Sequence, residues 1–286
     1  MEMRGGGGNV CSNGLVPPTT HMAASETMKA PLAAPRPLNG RTAIVTGSSR
    51  GIGRAVAAHL ALLGAKVVVN YTSTGSQADL LADEINSTAP GSATTFRADV
   101  YDPTHVRSLF DAAEKAFGCP VSVLVNSAGV MDSAHSTIAE TPVEEFDKIF
   151  SVNARGAFLC CREAANCLKR GGGGRIILLS SSLVGALKPT YGAYTASKAA
   201  VEMMTKILAK ELKGTGITVN CVAPGPIATD LFFAGRSEEY VKNVIDACPM
   251  GRLGETEDVA PVVGFLATDA SEGINGQVIR VNGGFV

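Results

Sequence analysis

What this 286-residue chain lacks narrows its function before any motif is read. The formal net charge is −1, from 25 Lys and Arg against 26 Asp and Glu. With neither sign in excess, there is no electrostatic footprint for nucleic acid or for an anionic membrane surface. No apolar run reaches the length of a membrane span. The seven cysteines include no C-x-x-C pair and no histidine joins them at ligand spacing, so no metal is expected. Their odd number suits free, buried thiols in a reducing compartment. Charged residues make up only 18% against 45% apolar, which argues against disorder and for one large buried α/β core. No internal repeat is present.

Residues 1–38 read differently from the rest. Gly5 to Gly8 form a flexible run, and Pro17, Pro18, Pro31, Pro35 and Pro37 break any helix. A disordered extension is expected here, followed by a single domain over 39–286. The extension holds only two acids, Glu2 and Glu26, with scattered Ser and Thr, as organelle transit peptides do, but no clear basic amphipathic helix. The cytoplasm is the expected compartment, with organelle targeting by this segment as the alternative. Met22-Ala23-Ala24-Ser25 equally suits an internal start.

From Leu38 onward, short β-branched runs alternate with helical segments. Strands are expected at Ala43–Val45, Lys66–Val69, Thr94–Phe96, Val121–Val125, Arg175–Leu179, Ile217–Asn220 and Val278–Val281. Pro103 opens a helix to Phe117. Thr141 is placed as the N-cap of a long helix, with Pro142 at its first position and Glu144 and Glu145 in its first turn, running to about Lys169. Another helix, about 191–213, carries Tyr194 and Lys198. Strands this apolar, each followed by a helix, predict a doubly wound, seven-stranded parallel sheet of the Rossmann type, flanked by helices.

Gly47, Gly51 and Gly53 lie between the first strand and its helix. The spacing is G-x-x-x-G-x-G, and the demands it meets are a tight turn, close backbone approach to a pyrophosphate, and a helix N-terminus aimed at it. The second strand ends Val69-Asn70-Tyr71-Thr72-Ser73, without the carboxylate that an NAD site usually places there. Arg50, inside the glycine loop, can reach a 2′-phosphate as a fixed cation. NADP(H) is therefore favoured over NAD(H).

Tyr194 and Lys198 stand four residues apart in a helical segment and so share a face. A nearby cation lowers a phenol's pKa, which is what a tyrosine needs to pass a proton near neutral pH. Taken alone, such a pair is more often a solvated helix edge.

The motifs together resemble the single-domain branch of the short-chain dehydrogenase/reductase family. They run in order: Thr46–Gly53, Asp99, Asn126-Ser127-Ala128-Gly129, Asn153, Ser181, Tyr194 with Lys198, and Pro224-Gly225. Within the family, Cys160-Cys161, Arg175 to Leu179 and Gly251 to Thr256 are most similar to the plant NADPH-dependent aldehyde reductase-like branch. The resemblance implies that Tyr194 exchanges a proton with the substrate oxygen and that Ser181 hydrogen-bonds that oxygen. It implies that Lys198 holds the nicotinamide ribose and lowers the pKa of Tyr194, and that Asn153 holds a water linking Lys198 to solvent. Ser181 is chosen over its neighbours Ser180 and Ser182 because the family places this serine thirteen residues before the tyrosine. For the cofactor, the resemblance implies contacts from Gly47, Ser49, Arg50, Gly51, Ile52 and Gly53, then from Asn70 and Tyr71. Asp99 and Val100 would meet the adenine, Asn126, Ala128 and Gly129 the adenosine ribose side, and Pro224, Gly225, Ile227 and Thr229 the nicotinamide. Ser127 departs from the family's usual second Asn, which puts one local hydrogen bond in doubt.

Leu231, Phe232 and Phe233 open a segment of about 228–250 expected to act as a small mobile lid. With Leu183, Val184 and Tyr191 they point to a small apolar carbonyl or alcohol substrate. Apolar residues on more than one face of the two long helices, among them Phe146, Phe158, Met203 and Ile207, call for a partner, so a homodimer or homotetramer is expected. The leading function is an NADPH-dependent carbonyl reductase. The alternatives are a ketoacyl-type or specialised-metabolism ketone reductase or alcohol dehydrogenase of the same family, and a non-catalytic NADP(H)-binding sensor or scaffold.

Overall fold

The computed structural model describes residues 36–286, which lie within one compact unit. The expected extension over 1–38 lies almost wholly outside the described residues. Seven strands alternate with helices. In chain order they are β1 (Thr42–Thr46), α1 (Gly51–Leu62), β2 (Lys66–Tyr71), α2 (Gly75–Thr88), β3 (Ala93–Arg97), α3 (Pro103–Phe117), β4 (Val121–Asn126), α4 (Val143–Phe150) and α5 (Gly156–Cys167). There follow β5 (Gly174–Leu179), α6 (Leu183–Ala186), α7 (Gly192–Glu211), β6 (Ile217–Pro224), α8 (Asp230–Phe233), α9 (Glu238–Ala247), α10 (Thr256–Ala267) and β7 (Val278–Val281).

All strands pair in parallel, in the order β3-β2-β1-β4-β5-β6-β7. The sheet is covered on both faces, and the period of two along each strand decides which side chain goes where. Val45, Val69, Val125 and Ile177 point to α1, α2 and α10; their neighbours Ile44, Val68, Leu124 and Ile176 point to α3, α5 and α7. The strand order reverses between β1 and β4, which opens a crevice beyond their C-terminal ends.

Local chemistry explains the boundaries. Asp102 caps α3 by accepting from the N–H groups of Thr104 and His105, with Pro103 in the first turn, and Gly118 ends the helix in the left-handed conformation. The long helix departs from expectation at both ends and in the middle. Pro142, not Thr141, is its N-cap, because the Thr141 hydroxyl instead donates to the Thr137 carbonyl at 2.8 Å. It ends at Cys167. Between α4 and α5, Ser151–Arg155 widens into a π-helical turn that carries Asn153. Such turns insert an extra residue without ending the helix and are frequent at functional sites. A small cap, α8 and α9, follows β6 and packs around its own cluster of Phe232, Val244, Cys248 and Leu253. Among the described residues, no helix is long and apolar enough to cross a membrane.

Candidate active site

The crevice beyond β1 and β4 holds a cleft of about 300 Å³, lined by the glycine loop, the end of β2 and the segments after β3 and β4. The glycines are needed where they stand. Gly47 has φ +61°, and a Cβ there would come within 2.8 Å of Ala128 Cα. Gly51 has φ +56°. No side chain caps the N-terminus of α1, so its first N–H groups are left toward the cleft. A dinucleotide fits this cradle: the loop backbone is bare, and Asp99 and the hydroxyls of Ser49, Thr72, Ser73 and Thr74 line the far end. Arg50 is exposed at the rim and stands 3.9 Å from Asp230 of the cap, a weak surface pair that leaves the guanidinium available.

Most of the expected cofactor residues line this cleft: Gly47, Ser49, Arg50, Gly51, Ile52, Gly53, Asn70, Tyr71, Asp99, Val100, Ala128, Gly129, Tyr194, Lys198, Pro224 and Thr229. Gly225 and Ile227 line the adjoining cavity instead. Two expected contacts work as braces. The Asn70 amide oxygen accepts from Gly47 N–H at 3.1 Å, and its nitrogen donates to the carbonyls of Phe96 and Ala98. Asn126 is buried beneath the cleft, where its amide oxygen accepts from the Thr46 hydroxyl at 3.1 Å. That hydroxyl oxygen also accepts from the N–H groups of Ser127 and Ala128, so β1 and the loop after β4 stay tied with Ser127 in place of a second Asn. The sequence reading passed over Thr72, Ser73 and Thr74. A run of hydroxyls after the second strand, where an acid is absent, was the available signal.

Cleft and cavity meet at Tyr194. The cavity, about 130 Å³, is lined on the body side by Ser181, Leu183 and Tyr191 and on the cap side by Leu231 and Phe232. Val184 does not reach it, and Phe233 faces solvent with its ring edge against Phe232. Three adjacent serines follow β5, and their partners separate them. Ser180 Oγ donates to Glu202 at 2.8 Å, and Ser182 Oγ donates to the Ala223 carbonyl at 3.0 Å. The Ser181 hydroxyl is the one turned to Tyr194, whose pKa it pulls down.

Lys198 Nζ lies 5.8 Å from the Tyr194 ring centroid and donates to the Leu179 carbonyl at 2.8 Å. The expected lowering of the Tyr194 pKa is not what the protein alone produces. Tyr194 is half-buried and open on its cleft side, yet the protein packed around its hydroxyl makes desolvation the largest influence, pushing it up to about 12. Ser181 and then Arg236 act in the opposite direction. Burial likewise pulls Lys198 down to about 8. Asn153 Nδ2 donates to the Val130 carbonyl at 2.8 Å and to Ser197 Oγ at 3.0 Å, while its oxygen accepts from Val130 N–H at 2.8 Å. It braces the loop after β4 against α7, and both its N–H donors are already used within the protein.

Residues 47–286 match a family model described as enoyl-(acyl carrier protein) reductase. The chain belongs to the short-chain dehydrogenase/reductase family. A 61% identical Arabidopsis thaliana protein, over 88% of this chain and 96% of its own length, is named NADPH-dependent aldehyde reductase-like protein, chloroplastic. A second from the same plant, 59% identical over 92% of this chain and 99% of its own, is named NADPH-dependent aldehyde reductase 2, chloroplastic. Among solved structures, a short chain dehydrogenase from Burkholderia cenocepacia in complex with NADP superposes with a TM-score of 0.80. It is 33% identical over 87% of this chain and 99% of its own. Membership in this short-chain family accounts for the order in which the glycine loop, Ser181, Tyr194 and Lys198 occur along the chain.

Six cysteines fall among the described residues and all are free. Cys160, Cys161, Cys221 and Cys248 are buried, and burial pushes their thiols up. No cluster of metal-ligating side chains occurs among the described residues. Sequence reasoning also missed Lys188, Arg236 and Tyr240, which line the cavity. Nothing in their spacing announced them, since cap and body converge only in the fold.

Proposed function

We propose that the protein is an NADPH-dependent carbonyl reductase acting on small aldehydes or ketones. The observation that carries this reading is the meeting of Ser181, Tyr194 and Lys198 at the junction between a dinucleotide-sized cleft and a smaller adjoining cavity. Bound NADPH supplies the hydride that the carbonyl carbon receives. Tyr194, which burial keeps protonated, donates its proton to the carbonyl oxygen. Ser181 donates a hydrogen bond to the same oxygen and stabilises its developing charge. Lys198, steadied by the Leu179 carbonyl, lines the cleft, where its remaining N–H groups would hold the ribose of a bound cofactor. Asn153 holds the Val130 loop and α7 in register with one another.

The two Arabidopsis relatives, named for NADPH dependence and aldehyde reduction, support this reading, as does the structural neighbour's NADP. Arg50 and the hydroxyls of Thr72 to Thr74 suit a 2′-phosphate. Leu183, Leu231, Phe232 and Val244 suit an apolar carbon chain on the substrate. Residues 39–286 form the catalytic domain in this reading, with 228–250 as its lid. Exposed Phe146 on α4, Phe158 on α5, and Met203 and Ile207 on α7 support a homodimer or homotetramer. The chloroplastic relatives favour a plastid over the cytoplasm, with residues 1–38 as the targeting segment.

The direct test is consumption of NADPH and of NADH with a panel of small aldehydes, ketones and quinones. NADPH is expected to support reduction with kcat/KM at least about tenfold above NADH. No carbonyl-dependent oxidation of either cofactor contradicts the reductase reading, and equal use of the two contradicts the cofactor assignment.

A further inference from the structure

We propose that the carbonyl substrate carries an anionic oxygen group, a carboxylate or a phosphate, received by Lys188 and Arg236 in the wall of the cavity. The inference rests on the reductase reading above and narrows its substrate class. Arg236 lies in the cap between α8 and α9, and Lys188 lies on the body between α6 and α7, so the pair faces the cavity from both sides. Arg236 Nη2 donates to Tyr191 Oη at 2.9 Å and Nη1 donates to the Phe232 carbonyl, but Nε is buried without any partner. Lys188 Nζ donates to Tyr240 Oη at 2.9 Å, which leaves two of the ammonium's three N–H groups unused in that bond.

Neither charge is balanced by an acid. Among the described residues, no carboxylate forms an ion pair with either cation. Asp132, in the neighbouring loop, accepts from the N–H groups of Ala134 and Ser136 instead. His135, packed against the Tyr191 ring at 5.2 Å, offers no negative charge in any form. What faces the cations is aromatic: Lys188 Nζ is 4.6 Å from the Tyr240 centroid, and the Arg236 guanidinium is 4.2 Å from Phe232 and 5.3 Å from Tyr240. Ring faces attract cations but carry no charge of their own. Two like charges gathered about one tyrosine repel, and an unsatisfied buried donor is costly. A bound anion relieves the repulsion between the two cations. Tyr191, the N-cap of α7, and Tyr194, in its first turn, line the same cavity. Arg236 also acts electrostatically on the Tyr194 hydroxyl, so the guanidinium shares the cavity with the phenol that meets the carbonyl.

The test compares kcat/KM with NADPH for butanal, 4-oxobutanoate and glycolaldehyde phosphate on the wild type, Lys188→Gln and Arg236→Gln. An anionic aldehyde is expected to exceed butanal by about tenfold or more, and each substitution to reduce that advantage by about tenfold or more. Preference for 4-oxobutanoate identifies a carboxylate, and preference for glycolaldehyde phosphate identifies a phosphate. Butanal turned over as well as both anions, or parallel losses on all three aldehydes in both variants, overturns the proposal and leaves the reductase reading standing. Calorimetric binding of 4-hydroxybutanoate, 2-hydroxyethyl phosphate and butan-1-ol to the NADP⁺-loaded protein supplies a readout without turnover. If no aldehyde is reduced but an anionic alcohol binds in a Lys188- and Arg236-dependent way, the reductase reading falls and the anion site stands. If no anion binds in preference to butan-1-ol, the anion site falls.

Discussion

Lys198 holds an ammonium group in the interior, and burial draws its pKa from the ordinary 10.5 to about 8. Below about pH 8 the charge is present in both folded and unfolded chains, and the folded state bears the desolvation. Between about 8 and 10.5 the unfolded chain binds more protons, so wild-type stability rises with pH across that window. Lys198→Met removes this dependence. Its stability relative to wild type, followed by denaturant unfolding, is expected to decline from pH 8 to 10.5; a gap that does not change with pH contradicts the burial account. Arg50→Ala is expected to raise KM for NADPH by about tenfold or more and KM for NADH by less than about twofold, because only the former carries the 2′-phosphate. Equal effects would contradict the assignment. Most of these side chains were legible in the sequence, since the motif order marks Tyr194 and Lys198 directly. Their pKa values were not. Helical spacing supplies proximity between a phenol and an ammonium, whereas desolvation is set by β5, β6 and the cap, which arrive from elsewhere in the chain.

Elements place these side chains through a few positions where the backbone has no slack. Gly235, between α8 and α9, has φ +70°, and a Cβ there would strike the Ser133 carbonyl oxygen. Gly235→Ala combines a left-handed backbone penalty of about 1–2 kcal/mol with that clash, so the cap should lift from the loop after β4. The expected result is a rise of about tenfold in KM for the carbonyl substrate with a much smaller change for NADPH, since the glycine loop lies on another element. Unchanged carbonyl KM would show that the cap does not shape the pocket. Helices and strands were readable from periodicity, and the Pro103 start of α3 from its cap chemistry. The π-helical turn at Ser151–Arg155 was not, because apolar residues lie on more than one face of this helix and hide the phase shift of about 100° that one extra residue makes. Thr141 has the residue type that suits a cap, but the nearby Thr137 carbonyl takes its hydroxyl.

For the whole molecule, the sheet is fixed by side chains that alternate between two covered faces, while the outer faces of α5 and α7 leave large apolar side chains exposed among charged ones. Phe158 and Ile207 are 51% and 56% exposed, more than such large apolar side chains favour in water. If the proposed oligomer forms through these faces, the double substitution Phe158→Glu with Ile207→Glu converts it to monomers in sedimentation without unfolding the chain; an unchanged sedimentation coefficient would contradict an interface there. The doubly wound parallel sheet followed from the strand–helix alternation, whereas the strand order and the crevice at the β1–β4 reversal emerge only in the fold. The polar wall of the cavity did not, because Lys188 and Arg236 are 48 residues apart in sequence and meet only when the cap folds over the body.

The account turns on proton transfer from Tyr194. Single-turnover reduction of a carbonyl substrate by NADPH bound to Tyr194→Phe, with cofactor affinity measured alongside, tests it directly. The account predicts cofactor binding close to wild type and reduction slower by about 10²–10⁴-fold. Reduction at the wild-type rate in that variant would contradict it.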